Sequence, residues 1–146
     1  PIVRPVPGIV TSPYGRRRIL NGKPRSPHGG VDFRAATGTP VLSALSGYVV
    51  LTGDHYYAGK SIFIDSGGGV IAHYFHMDTA DVKQGDFVKA GQVVGKSGVT
   101  GRATGPHLHF GLALSGQMVD PEPLFSATVA QMLEKTALRK IIPKWK

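Results

Sequence analysis

The stretch TGPHLHFGLAL, Thr104 to Leu114, carries two imidazoles two positions apart in a run otherwise apolar enough for a buried strand. Successive side chains of a strand point to opposite faces, so positions i and i+2 share one. Leu108, Phe110, Leu112 and Leu114 are therefore expected in a core. His107 and His109 project together from the other face, directly after a Gly105-Pro106 turn. One histidine there would read as a solvated polar position. Two on one face point to a metal or catalytic site, because imidazole serves both as metal ligand and as proton carrier near neutral pH.

The rest of the chain has the same short-strand texture. The 20 glycines and 11 prolines are spread between short Val/Ile-rich runs, which predicts many turns and a mostly β domain, a compact antiparallel sheet or barrel-like core. GIVTSPYGRR reads as a strand running into a turn, and TPVLSALSGYVVLTGD as two strands hinged at Ser46-Gly47. KSIFIDSGGGVIAHYFHM reads as a hairpin turning at Gly67 to Gly69. GDFVKAGQVVGKSG gives two very short strands joined by Lys89-Ala90-Gly91, and SGQMVD begins an edge strand. After Phe125 the pattern changes. Val129, Leu133, Ala137 and Ile141 recur every four residues behind Ser126, an N-cap type, which predicts a C-terminal helix ending in the basic PKWK. The expected division is a domain over residues 1–125 and a helical, basic appendage over 126–146.

Composition narrows the function. With 146 residues and 41% hydrophobic residues the chain can bury a core. Cysteine is absent, so there is no disulfide and any metal must be held by nitrogen and oxygen. No run approaches the ~18 apolar residues of a membrane span, which argues against stable membrane insertion. The opening PIVRPVPG has neither initiator Met nor signal peptide and reads as the start of a mature or trimmed fragment. The net charge of +8 favours acidic partners: nucleic acid, anionic lipid or an acidic cell-wall polymer. Much of it lies in GRRRILNGKPR, Gly15 to Arg25. The few aromatics are not interleaved with that run as a stacking platform requires, which counts against nucleic acid.

A second polar cluster lies in SPHGGVDF, where His28 and Asp32 are spaced H-x-x-x-D. Gly29 and Gly30 argue against a helix. In an extended segment positions 28, 30 and 32 share one side while Val31 and Phe33 face the core. Joined to the H-x-H strand, His28 and Asp32 complete a site of two His and one Asp with a position open to water, the catalytic type of zinc site. The remaining imidazole of the H-x-H pair would then handle a proton or an oxyanion. VIAHYFHMD adds His73 and His76, which fall on opposite faces of a regular strand; parity does not choose between them.

HGGVDF, GTPVLSALSGYVV, YFHMD and VKAGQVVGKSGVTGRATGPHLHF together resemble the LytM, or lysostaphin-type, M23 zinc metallopeptidases over roughly residues 8 to 125. The resemblance implies His28, Asp32 and His109 as zinc ligands and His107 and His76 as the catalytic histidines. It leaves His73 structural and His55 an exposed loop residue. It further implies a zinc-dependent endopeptidase, expected to act as a monomer, that cuts peptide cross-links of bacterial peptidoglycan in the periplasm or outside the cell. The bond expected is D-alanyl-diaminopimelate, because Arg16, Arg17 and Arg25 before the first ligand can pair with its carboxylates; glycyl-glycine cleavage is the alternative. Non-catalytic LytM domains that activate amidases have lost metal ligands, whereas all five polar groups are present here. A biotinyl- or lipoyl-type carrier lacks support because no Lys-Met turn is found. H-E-x-x-H is absent too, so no glutamate base of that kind is available.

Overall fold

The computed structural model describes residues 1–16, 19–20, 23–24, 28–101, 103, 105–128 and 131. The strands are β1 (Val10–Ser12), β2 (Ile19–Leu20), β3 (Lys23–Pro24), β4 (Val31–Arg34), β5 (Pro40–Leu42) and β6 (Gly47–His55). They continue with β7 (Gly59–Asp65), β8 (Val70–Ala80), β9 (Phe87–Val88), β10 (Val93–Ser97), β11 (His107–Leu114) and β12 (Gln117–Val119), and a 3-10 turn follows at Glu122–Phe125. Ten strands form one antiparallel sheet in the order β1-β4-β11-β8-β7-β6-β9, with β12 on β11 and with β10 pairing both β5 and β8. The hydrogen-bond path stays open. The short β2-β3 ladder stands apart from it.

Alternation decides which residues enter the core. Leu108, Phe110 and Leu112 of β11 are buried, as are Val31 and Phe33 of β4 and Ala72 and Tyr74 of β8. Each fully buried Val, Leu or Phe among them contributes roughly 1.5–3 kcal/mol. The intervening positions of β4 and β11 are thereby turned to the opposite face, where the polar residues collect. Tyr74 carries a polar group into this interior. Its phenol oxygen accepts the Ala44 N–H at 2.8 Å, and burial pushes its pKa up to about 12 against the opposing pull of the Ala44 and Ser43 hydrogen bonds.

The hairpin turning at Gly67 to Gly69 and the hinge at Ser46-Gly47 stand where the turn residues predict, between β7 and β8 and between β5 and β6. The two short strands around Lys89-Ala90-Gly91 also form, but not as partners of one another: β9 pairs β6, and β10 pairs β5 and β8. The helix expected after Phe125 lies mostly outside the described residues. Ser126 ends the 3-10 turn as its C-cap, its N–H donating to the Pro123 carbonyl at 3.4 Å. The Gln131 N–H donates to Thr128 Oγ1 at 3.1 Å and the Thr128 N–H to Gln131 Oε1 at 2.9 Å, the reciprocal pairing of a capping box.

Candidate metal centre and active site

Asp32 and His109 are direct neighbours across the β4-β11 ladder. Same-face partners in adjacent strands place their side chains together. His28 precedes β4, and its Nδ1–H donates to the Pro13 carbonyl at 3.1 Å. This bond fixes the tautomer and leaves Nε2 as the lone-pair nitrogen. His28 Nε2 lies 3.1 Å from His109 Nδ1 and 3.3 Å from Asp32 Oδ1, and His109 Nδ1 lies 3.0 Å from Asp32 Oδ1. Among the described residues, His28, Asp32 and His109 form the group able to hold a metal ion.

The donor set fits zinc. Ligand bonds of about 2.0–2.1 Å in a tetrahedral site separate neighbouring ligand atoms by roughly 3.3–3.4 Å, close to the triangle observed. Burial alone would raise the Asp32 pKa. The hydrogen bonds and charges of His109 and His28 outweigh it and hold the carboxyl well below the ordinary range, so the group stays an ionised ligand. Gly30 makes the close approach possible. A Cβ there would strike the Phe110 carbonyl and lie 2.9 Å from His109 Nε2.

The parity conflict between His73 and His76 is resolved by the backbone of β8. Lys60 pairs with Met77 and Ile62 with Tyr74, so two steps along β7 match three along β8. This is a β-bulge, and within it His76 has φ of 63°. A non-glycine residue in the left-handed region is uncommon and costs of order 1–3 kcal/mol. In a regular strand His76 would follow Ala72 and Tyr74 into the core. The bulge instead delivers it to the cleft beside His107, with ring centroids 4.8 Å apart.

His76 and His107 are held in the same way. His76 Nδ1–H donates to the Thr100 carbonyl at 2.7 Å, and His107 Nδ1–H to the Gly105 carbonyl at 2.9 Å. Both rings therefore keep Nε2 as the basic nitrogen, and that of His107 lies 3.8 Å from Asp32 Oδ1. Burial lowers the His76 pKa, more than the Thr100 carbonyl raises it, with the neighbouring His107 and His109 adding to the fall. His76 is thus neutral at neutral pH. The five residues line one cleft of ≈ 550 Å³, whose walls add Thr11, Ser12, Tyr57, Ala58, Gly105 and Pro106.

His73 lies on the same face as His109 but behind it. Its ring stacks on Phe75 at 4.1 Å and on His109 at 5.3 Å, over Gly111, where any Cβ would collide with it. Burial and the His109 charge lower its pKa to about 3, so it is a neutral packing ring. His55 is exposed at the end of β6. Of the basic residues before His28, Arg16 is described: it is exposed, and its carbonyl accepts the His28 N–H at 3.0 Å. Arg17 and Arg25 lie outside the described residues. The orienting carbonyls of Pro13, Thr100 and Gly105 were not among the residues singled out from the sequence, since a main-chain acceptor has no side-chain signature.

An antiparallel sheet carrying a His/Asp/His triangle with two further imidazoles in its cleft defines a metallopeptidase architecture. The model of peptidase family M23 matches residues 26–121, and the chain belongs to that family. It is 41% identical over 112 residues to the peptidoglycan DD-endopeptidase ShyA of Vibrio cholerae, covering 76% of this chain and 26% of that protein. A crystal structure of a putative M23 peptidase from Pseudomonas aeruginosa superposes with a TM-score of 0.76 at 40% identity, over 86% of this chain and 50% of that one. A zinc-containing peptidase from Vibrio cholerae superposes with a TM-score of 0.77 at 34% identity, over 87% of this chain and 40% of that one. The chain spans about a quarter of the length of the curated relatives it matches.

Proposed function

We propose that this chain is the catalytic domain of a zinc-dependent endopeptidase that hydrolyses peptide cross-links of bacterial peptidoglycan, at the D-alanyl-diaminopimelate bond. The observation that carries the reading is the triangle of His28 Nε2, Asp32 Oδ1 and His109 Nδ1, with sides of 3.0–3.3 Å, in the cleft that His76 and His107 share. The likeness to proteins named DD-endopeptidases and to a zinc-containing peptidase supports it.

In this reading His28, Asp32 and His109 hold the ion. Zinc bound there supplies Lewis acidity, which polarises a peptide carbonyl and lowers the pKa of water beside it. The chain's own residues do the rest. His76 and His107 each present a basic Nε2 because their Nδ1–H groups are committed to carbonyls. Between them they take a proton from the attacking water, return one to the leaving amine, and, once protonated, donate to the carbonyl oxygen as its charge grows. Asp32, kept ionised, offsets the positive charge that accumulates. The cleft walls at Thr11, Ser12, Tyr57 and Ala58 position an extended peptide.

Arg16, Arg17 and Arg25 supply the cationic approach for the carboxylates of D-alanine and diaminopimelate, and the +8 charge favours an anionic wall. An envelope location, periplasmic or secreted, and action as a monomer belong to the same reading. The test is digestion of purified sacculi of defined chemistry, with mass spectrometry of the released muropeptides. New amino termini on diaminopimelate are expected. Release from glycine-bridged sacculi alone would move the specificity to glycyl bonds, and sugar–peptide cleavage would overturn the endopeptidase.

A further inference from the structure

Building on the reading of His76 as a catalytic residue, we propose that Thr100 is its positioning residue. Thr100 lies in the loop between β10 and β11, and it grips the β8 bulge at three points. Its carbonyl accepts His76 Nδ1–H at 2.7 Å. Its hydroxyl donates to the Met77 carbonyl at 2.6 Å and accepts the Lys60 N–H at 2.9 Å. Lys60 and Met77 are the facing pair of β7 and β8 at the end of the bulge. The hydroxyl thus satisfies one backbone group on each strand where the ladder is disturbed, and the same residue sets the ring of the histidine that the disturbance exposes.

The loop cannot drift from this position. Gly59, at the start of β7, meets Thr100 so closely that a Cβ would collide with its carbonyl and hydroxyl. A Cβ on Gly101 would strike the backbone of Gly59 and Tyr57 in turn. The His76 N–H is tied to the Ala58 carbonyl at 2.8 Å, in the same turn. Backbone placement, ring direction and tautomer of His76 therefore depend on one junction of the 57–60 turn with the 98–101 loop. Its consequence for the reaction is that the proton stays on Nδ1 and the lone pair stays on Nε2. If the Thr100 carbonyl shifts, the ring gains both a second tautomer and freedom to turn about its side-chain torsions. Misplacing a reacting group by about 1 Å can cost on the order of 10²-fold in rate.

Thr100→Val keeps the β-branched shape and the main-chain carbonyl but removes both hydroxyl bonds, and Thr100→Ser restores them. Each is compared, zinc-loaded, with the parent and with His76→Ala on a soluble cross-linked muropeptide, alongside zinc content and nitrogen-15 shifts of the His76 ring. The expected result is a tenfold or larger fall in kcat for Thr100→Val at nearly constant KM and full zinc occupancy, mixed tautomers at His76, and recovery in Thr100→Ser. Parent-like kcat and a single Nδ1–H tautomer in Thr100→Val, beside an inactive His76→Ala, would overturn the role of Thr100 and leave His76 catalytic. A fully active His76→Ala would instead overturn the reading on which the role depends. Gly59→Ala, which pushes on the carbonyl and the hydroxyl of Thr100 together, should reproduce the tautomer change; an unaltered tautomer there counts against the proposal.

Discussion

His107 and His109 differ by one turn of the pleat and by everything in their surroundings. His109 presents Nδ1 to Asp32 and His28, whereas His107 points Nδ1 at its own turn and keeps Nε2 for the cleft. His109→Ala is expected to lose zinc and activity together, because a site with three protein ligands has none to spare. His107→Ala and His76→Ala should keep zinc and lose turnover by about 10²-fold or more. His73→Ala should remain largely active, its ring being packing behind the site. Zinc content measured beside hydrolysis rate separates the four. Zinc lost from His107→Ala but kept in His109→Ala would reverse the assignment of the pair.

The element that sets these positions is the pairing of β4 with β11, and Gly30 stands immediately before β4 against the Phe110 carbonyl. A methyl group there would press on the Phe110 carbonyl and on His109, between two of the three ligands. Gly30→Ala should therefore part the ligand triangle. A stability loss of about 1–3 kcal/mol is expected from overpacking, with weaker zinc binding in a chelator competition. Unchanged affinity would mean that the strands can yield without moving the ligands. At this scale the sequence was informative wherever a two-residue period holds. The shared face of His107 and His109, the core positions of β4 and β11, and the approach of His28 to Asp32 all follow from alternation. His76 did not follow, since a bulge with a left-handed histidine breaks the period and no residue type announces it. The partners of β9 and β10 were equally hidden, because pairing between distant segments leaves no local mark.

For the whole molecule, the ion is expected to act as a ligand that binds the folded state. Chelation should abolish hydrolysis and lower Tm, and one equivalent of zinc per chain should restore both; with free zinc at 100 Kd the gain is about 2.7 kcal/mol. A chelated preparation with full activity would end the metallopeptidase reading. The family was legible here, and the candidate site with it, because three motifs far apart in the chain converge on one cleft. The bond cleaved was not, since the residues lining the cleft carry no spacing or motif that marks one peptide bond.

Tyr74 sets a limit of a different kind. Its phenol is sealed in the core with its oxygen on the Ala44 N–H, and its pKa stands at about 12. The unfolded chain releases that proton at about pH 10, whereas the native chain retains it. Between those values the native state binds more protons, so stability must fall as pH rises. The fold thus carries its own alkaline ceiling, readable as a denaturant midpoint that falls as pH rises above about 10. In Tyr74→Phe, compared by denaturant midpoint across the same range, that portion of the decline should vanish even though the variant starts from a lower stability.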